Sequence, residues 1–141
     1  MKQVVDVGLP PLGQPFSWAV KAGGLLFTTH GPVRADGSVD TGPIEQQARL
    51  TLQNIERSVA AAGGRMSDVA QVLIYMTDER DMPAIDSVYR EFFAAPYPNR
   101  SSVAVKALVV PGMRVEMVVY ASIDVSTPLS PLVPPERVGM S

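Results

Sequence analysis

Between Pro43 and the pair Gly63-Gly64, the residues Ile44, Ala48, Leu52, Ile55, Val59 and Ala62 recur at spacings of three and four, which gathers them on one buried helical face. Pro43 suits the first turn of that helix and the two glycines its end. The flanking segments lose this period. Ser17 to Lys21 and Leu25 to Thr29 are short β-type runs on either side of Gly23-Gly24, a dipeptide that turns a hairpin. Val69 to Met76 reads as a buried strand. Pro83 opens a second helix with the apolar face Ile85, Val88, Tyr89, Phe92 and Phe93, closing before Pro96. Pro98-Asn99-Arg100-Ser101-Ser102 then leads into an apolar run, Val103 to Val110, and Pro111-Gly112 separates it from Val115 to Val119. The resulting order is ββαβαββ.

Strands and helices that alternate but end in a strand pair predict an α+β domain, a mixed sheet with two helices on one face. Gln71 to Met76 and Val115 to Ala121 carry too many apolar residues for a water-exposed sheet face. The face away from the helices is therefore expected to be buried against other subunits of a homo-oligomer. The 141 residues, 46% of them hydrophobic, suffice for one core. We read residues 1–125 as a single domain and 126–141, with Pro128, Pro131, Pro134 and Pro135, as an extended tail.

A formal net charge of −2, with lysines and arginines scattered, offers no basic stripe for a phosphate backbone, so nucleic acid is not an expected partner. There is no cysteine and one histidine, which excludes thiolate chemistry, disulfides and a histidine-rich metal site. No segment has the length of a membrane span or the pattern of a signal peptide, and a cytoplasmic, soluble protein without a membrane partner is expected.

The region from Pro98 to Val119 places a lone arginine, Arg100, at the mouth of one β-type segment and a lone carboxylate, Glu116, inside the next. Joined through Pro111-Gly112, the two segments are expected to lie antiparallel, with Arg100 and Glu116 near one another beside an apolar wall. Arginine's planar fork suits a carboxylate ligand, and an acid inside an apolar strand has a tunable proton affinity.

Over residues 10 to 124 the chain resembles the RidA, or YjgF, family of reactive intermediate deaminases. The resemblance rests on Gln47-Ala48-Arg49 with Leu52 and Asn54, on Ala61-Ala62-Gly63 before Asp68-Val69, on Val88-Tyr89 with Phe92-Phe93, and on Pro98-Asn99-Arg100-Ser101 followed by Val115-Glu116. It implies a chorismate-mutase-like homotrimer whose sheets pack into a central barrel, with helices outside and sites in the clefts between subunits. It also implies hydrolysis of small enamine or imine carboxylates of the 2-aminoacrylate type, without metal or organic cofactor. Arg100 matches the arginine that binds the substrate carboxylate, and Glu116 the carboxylate that positions the attacking water. Ser102 and the backbone around Gly31 or Pro32 fall at positions that line the site.

Other positions depart from the family pattern. Phe16 stands where a tyrosine is usual and loses its hydroxyl, Trp18 follows it, and Thr28-Thr29-His30-Gly31-Pro32 brings the only histidine close to the expected cleft. Asp86 replaces a common asparagine on the second helix. Phe16, Trp18, Thr29, His30, Gly31, Asp86, Ser101 and Ser102 are accordingly candidate substrate-binding residues, although a structural role suits Trp18 and His30 better, a lone indole or imidazole more often being a core group. Besides deaminase activity, a binding module that holds a small carboxylate without turnover is compatible with these residues. A ribonuclease is disfavoured by the acidic balance of the chain.

Overall fold

The structure, a computed structural model, describes residues 1–123, so the expected tail from 126 to 141 lies outside the described residues. Its elements run β1 (Gln3–Val4), β2 (Ala19–Ala22), β3 (Leu25–His30), α1 (Ile44–Ala61), β4 (Val69–Met76), α2 (Met82–Phe92), β5 (Asn99–Ala104) and β6 (Val115–Ser122). The six strands form one sheet in the order β1-β2-β3-β6-β4-β5. Among the described residues only β4 and β5 pair in parallel; the other neighbours are antiparallel. The sheet is mixed, as expected from the sequence.

Local chemistry explains most boundaries. Gly23 (φ 59°) and Gly24 (φ 78°) both take left-handed backbone conformations at the β2–β3 turn, which glycine enters without a Cβ clash. Gly63, at φ 92°, ends α1 in the same way. The faces read from helical spacing are buried: Ile44, Ala48, Leu52, Ile55 and Val59 from α1 meet Ile85, Val88 and Tyr89 from α2 over Val72, Ile74, Met76, Val115, Met117 and Val119 of the sheet. β1 has no counterpart in the sequence reading; two residues are too few to show a period.

The strand pair at the C-terminal end is not the expected hairpin. β5 ends at Ala104, and β4 lies between β5 and β6. The apolar run to Val110 continues as a loop at the surface, with Val109 94% exposed. β4 has two sides to satisfy: its backbone pairs with β5 along one edge and with β6 along the other. Inserting β6 into the middle of the sheet buries alternate residues Val115, Met117, Val119 and Ala121 under the helices. A hairpin at the sheet edge would leave them at the margin of the core.

On the face away from the helices, Leu25, Phe27 and Val103 are exposed, and Leu73, Tyr75, Val118 and Tyr120 are half-buried. Phe27 and Tyr120 meet edge to face, ring centroids 5.6 Å apart. This is a broad apolar surface.

Candidate active site

Strand alternation fixes where the two principal candidates point. Arg100 lies in register with Val72, which is buried under the helices, so it projects toward the helical layer. Glu116 lies between the buried Val115 and Met117 and in register with Tyr75, which puts it on the opposite face. Through Val72, Arg100 is level with Val119 of β6. At strand spacings of about 4.8 Å and about 3.3 Å per residue, the two α-carbons are on the order of 14 Å apart. The expectation that Arg100 and Glu116 meet within one chain is therefore corrected: β4 intervenes, and the side chains leave opposite faces.

Arg100 has other company. Its Nη1 donates to Asp86 Oδ1 at 2.6 Å, and its Cζ sits 5.0 Å from the centroid of the Tyr89 ring. Asp86 and Tyr89 are three residues apart on α2 and share a face. Around them Arg90, Tyr97 and Pro98 complete a cleft of about 260 Å³. The side chains of Arg100 and Asp86 remain 29% and 27% exposed, so a small solute can reach both. Burial pushes the Tyr89 hydroxyl up to about 12, which keeps it neutral. Tyr89 and Tyr97 escaped the sequence reading as site residues, although the spacing of Tyr89 from Asp86 was visible there.

A second group forms at the far end of β3 and β6. Thr29 pairs with Val118, and continuing the His30–Met117 register sets Gly31 across from Glu116. Asn54 holds that turn from below, its Nδ2 donating to the carbonyls of Gly31 (3.2 Å) and Val33 (2.8 Å). Burial raises the Glu116 carboxyl above its ordinary value. Gln47 positions the approach to β6: its Nε2 donates to the carbonyls of Gly42 and Gly112, each at 3.0 Å, and its Oε1 accepts from the Arg114 amide at 2.8 Å. Ser101, in register with Leu73, points to the same sheet face as Glu116, whereas Ser102, in register with Ile74, points to the side of Arg100.

The third group is aromatic. Phe16 meets Trp18 edge to face at 5.0 Å, and Trp18 stacks on His30 at 5.7 Å. The Trp18 indole donates to the Pro10 carbonyl at 3.0 Å. Phe16 and Trp18 line a surface cleft with the N-terminal segment. His30 lies beneath them, 1% exposed, with Nε2 2.8 Å from Thr28 Oγ1 and 2.7 Å from Ser58 Oγ. Burial lowers its pKa to about 4, with Arg57 adding a smaller push in the same direction. Within the chain this imidazole is a neutral core group and belongs to neither the Arg100 cleft nor the Glu116 face.

Among the described residues, no cluster of acidic residues or histidine has the makings of a metal site, and no helix is long and apolar enough to cross a membrane.

Comparison with known proteins identifies the family. The endoribonuclease L-PSP family model matches residues 10–123. A protein of Dermatophagoides farinae named 2-iminobutanoate/2-iminopropanoate deaminase is 38% identical over 112 residues, 76% of this chain and 86% of that one. The mitochondrial protein mmf2 of Schizosaccharomyces pombe is 37% identical over 92 residues, 65% of this chain and 73% of its own. The crystal structure of Escherichia coli TdcF with bound serine superposes with a TM-score of 0.77 at 30% identity, covering 85% of this chain and 98% of that one. The chain belongs to the endoribonuclease L-PSP family, the RidA or YjgF family that its Pro98-Asn99-Arg100-Ser101 and Val115-Glu116 segments resemble.

Proposed function

We propose that this protein is a hydrolytic deaminase of small imine or enamine carboxylates, releasing ammonia and a 2-oxo acid. The observation that carries the reading is the placement of the motif arginine: Arg100 stands on an edge strand with its guanidinium over the Tyr89 ring, in an open cleft that Tyr97 also lines. The guanidinium orients the substrate carboxylate. Water adds to the C=N carbon, the nitrogen of the tetrahedral adduct takes up a proton, and ammonia leaves as the C=O bond forms. Glu116 holds that water and relays its protons; a carboxyl with a raised pKa exchanges protons closer to neutrality than an ordinary glutamate does.

Because Arg100 and Glu116 leave opposite faces of the sheet, the complete site forms between copies of the chain. The uncovered apolar face bearing Glu116, Phe27, Val118 and Tyr120 supports such an assembly, and a homotrimer with interfacial sites is the form we infer. Thr29, Gly31 and Ser101 share that face, and Ser102 shares the side of Arg100. Phe16 and Trp18 offer an apolar wall, with His30 supporting Trp18 from beneath.

The test is ammonia release from 2-aminoacrylate and bulkier imino acids generated in situ by an amino acid oxidase. Arg100→Ala is expected to lower kcat/KM by at least about 100-fold, since two charge-assisted hydrogen bonds contribute about 3 kcal/mol or more. Equal acceleration by both proteins refutes the anchoring role. A second reading, binding of a small carboxylate without turnover, gains support from Phe16, which lacks a tyrosine's hydroxyl; saturable Arg100-dependent binding with no ammonia release would establish it.

A further inference from the structure

The anchoring arginine is not a bare cation. Asp86 occupies Nη1 of its guanidinium, the guanidinium Cζ sits over the Tyr89 ring 5.0 Å from its centroid, and both contacts come from one face of α2. A guanidinium has five N–H donors, and the Asp86 contact is its only hydrogen bond among the described residues. The remaining N–H edge is therefore available for a bidentate carboxylate, while Oδ2 of Asp86, with no hydrogen-bond partner among the described residues, is available as an acceptor beside it. Charge points the same way. A lone arginine complements a monoanion, whereas an arginine and an aspartate side by side complement a ligand carrying both signs.

We propose that Asp86 is a specificity-determining residue that makes the Arg100 cleft select α-nitrogen zwitterions over simple carboxylates. The inference rests on the reading of Arg100 as carboxylate anchor and narrows its substrate class. The ligand places its carboxylate on the free edge of Arg100 and a protonated α-nitrogen against Asp86. A protonated 2-imino acid meets this requirement, and protonation also makes its C=N carbon the better electrophile for water. The 2-oxo acid product has no N–H to offer. It leaves Asp86 facing a carbonyl oxygen, a repulsive contact that speeds product release.

Stable probes separate the two demands: 2-aminobutanoate carries the cationic α-nitrogen, and 2-oxobutanoate does not. Calorimetric titration of the full chain is expected to show tighter binding of 2-aminobutanoate. In Asp86→Asn the ratio of the two affinities is expected to shift toward 2-oxobutanoate by about tenfold or more. Asp86→Ala, which removes the charge without adding an amide donor, is expected to shift it the same way. Arg100→Ala is expected to abolish binding of both. An unchanged ratio in both Asp86 variants, with binding still lost in Arg100→Ala, overturns the role of Asp86 and leaves the anchor standing. Binding of neither probe to the wild-type protein, or equal binding with and without Arg100, overturns the anchor and the selectivity together.

Discussion

Replacing His30 by glutamine should remove most of the acid sensitivity of folding near pH 5. The imidazole is 1% exposed, lies under Trp18, and presents Nε2 to two hydroxyls while Nδ1 has no hydrogen-bond partner among the described residues. Charging it in place would bury a cation with Arg57 already nearby, which is why its pKa falls from 6.5 to about 4. Above the unfolded value both states are neutral here, and stability is independent of pH at this site. Below it the unfolded chain takes up a proton that the folded chain refuses, so stability falls as pH falls. Integrating between the two values gives a loss of about 2 kcal/mol on going from about pH 7.5 to about pH 5, approaching about 3 kcal/mol near pH 4. Glutamine is of similar size, keeps a polar end for Thr28 and Ser58, and does not titrate. Urea unfolding of both proteins at the two pH values, at fixed protein concentration, measures the difference directly. The variant is expected to start less stable and to lose about 2 kcal/mol less than wild type on acidification. Equal losses in the two proteins refute the claim that this imidazole is held neutral by burial.

Glu116→Gln keeps the size and polarity of the side chain but removes the proposed base; turnover is expected to fall by about 100-fold or more while 2-oxobutanoate affinity stays within about threefold. The acid limb of the wild-type kcat/KM profile is expected above the ordinary glutamate range, in line with the raised carboxyl pKa, and to vanish in the variant. Gln47→Leu strands two carbonyls and one amide that the buried carboxamide now pairs. A loss of about 3 kcal/mol in urea unfolding is expected, and one below about 1 kcal/mol would mean that water replaces those bonds.

Features set by local chemistry were legible in the sequence. The face of α1 was visible because Ile44, Ala48, Leu52, Ile55 and Val59 share one period, and the β2–β3 turn because Gly23-Gly24 answers a backbone requirement. The path after Ala104 was not. Val103 to Val110 has strand-like composition, but adjacency in a sheet is decided by long-range pairing, and β4 outcompetes β5 for the edge of β6. The same local adjacency sets the segments of Arg100 and Glu116 side by side in the sequence, where the intervening β4 is not visible. For Arg100 the family resemblance implies a carboxylate anchor, a role proposed here and not shown by the fold, while its ion pair with Asp86 needed the helix and strand to be docked. His30 was visible as the lone imidazole, but its burial depends on Trp18 folding over it from the N-terminal segment.

The opposite facing of Arg100 and Glu116 also bears on when the chain can act. On the proposed reading, a newly made polypeptide can finish folding, bury its core and still be chemically silent, because one chain holds the grip and its neighbour the water. Activity then begins with encounter and ends with dissociation, so a cell sets it partly through the concentration of the protein. A lesion that roughens the apolar sheet face would extinguish turnover while sparing every residue of the Arg100 cleft.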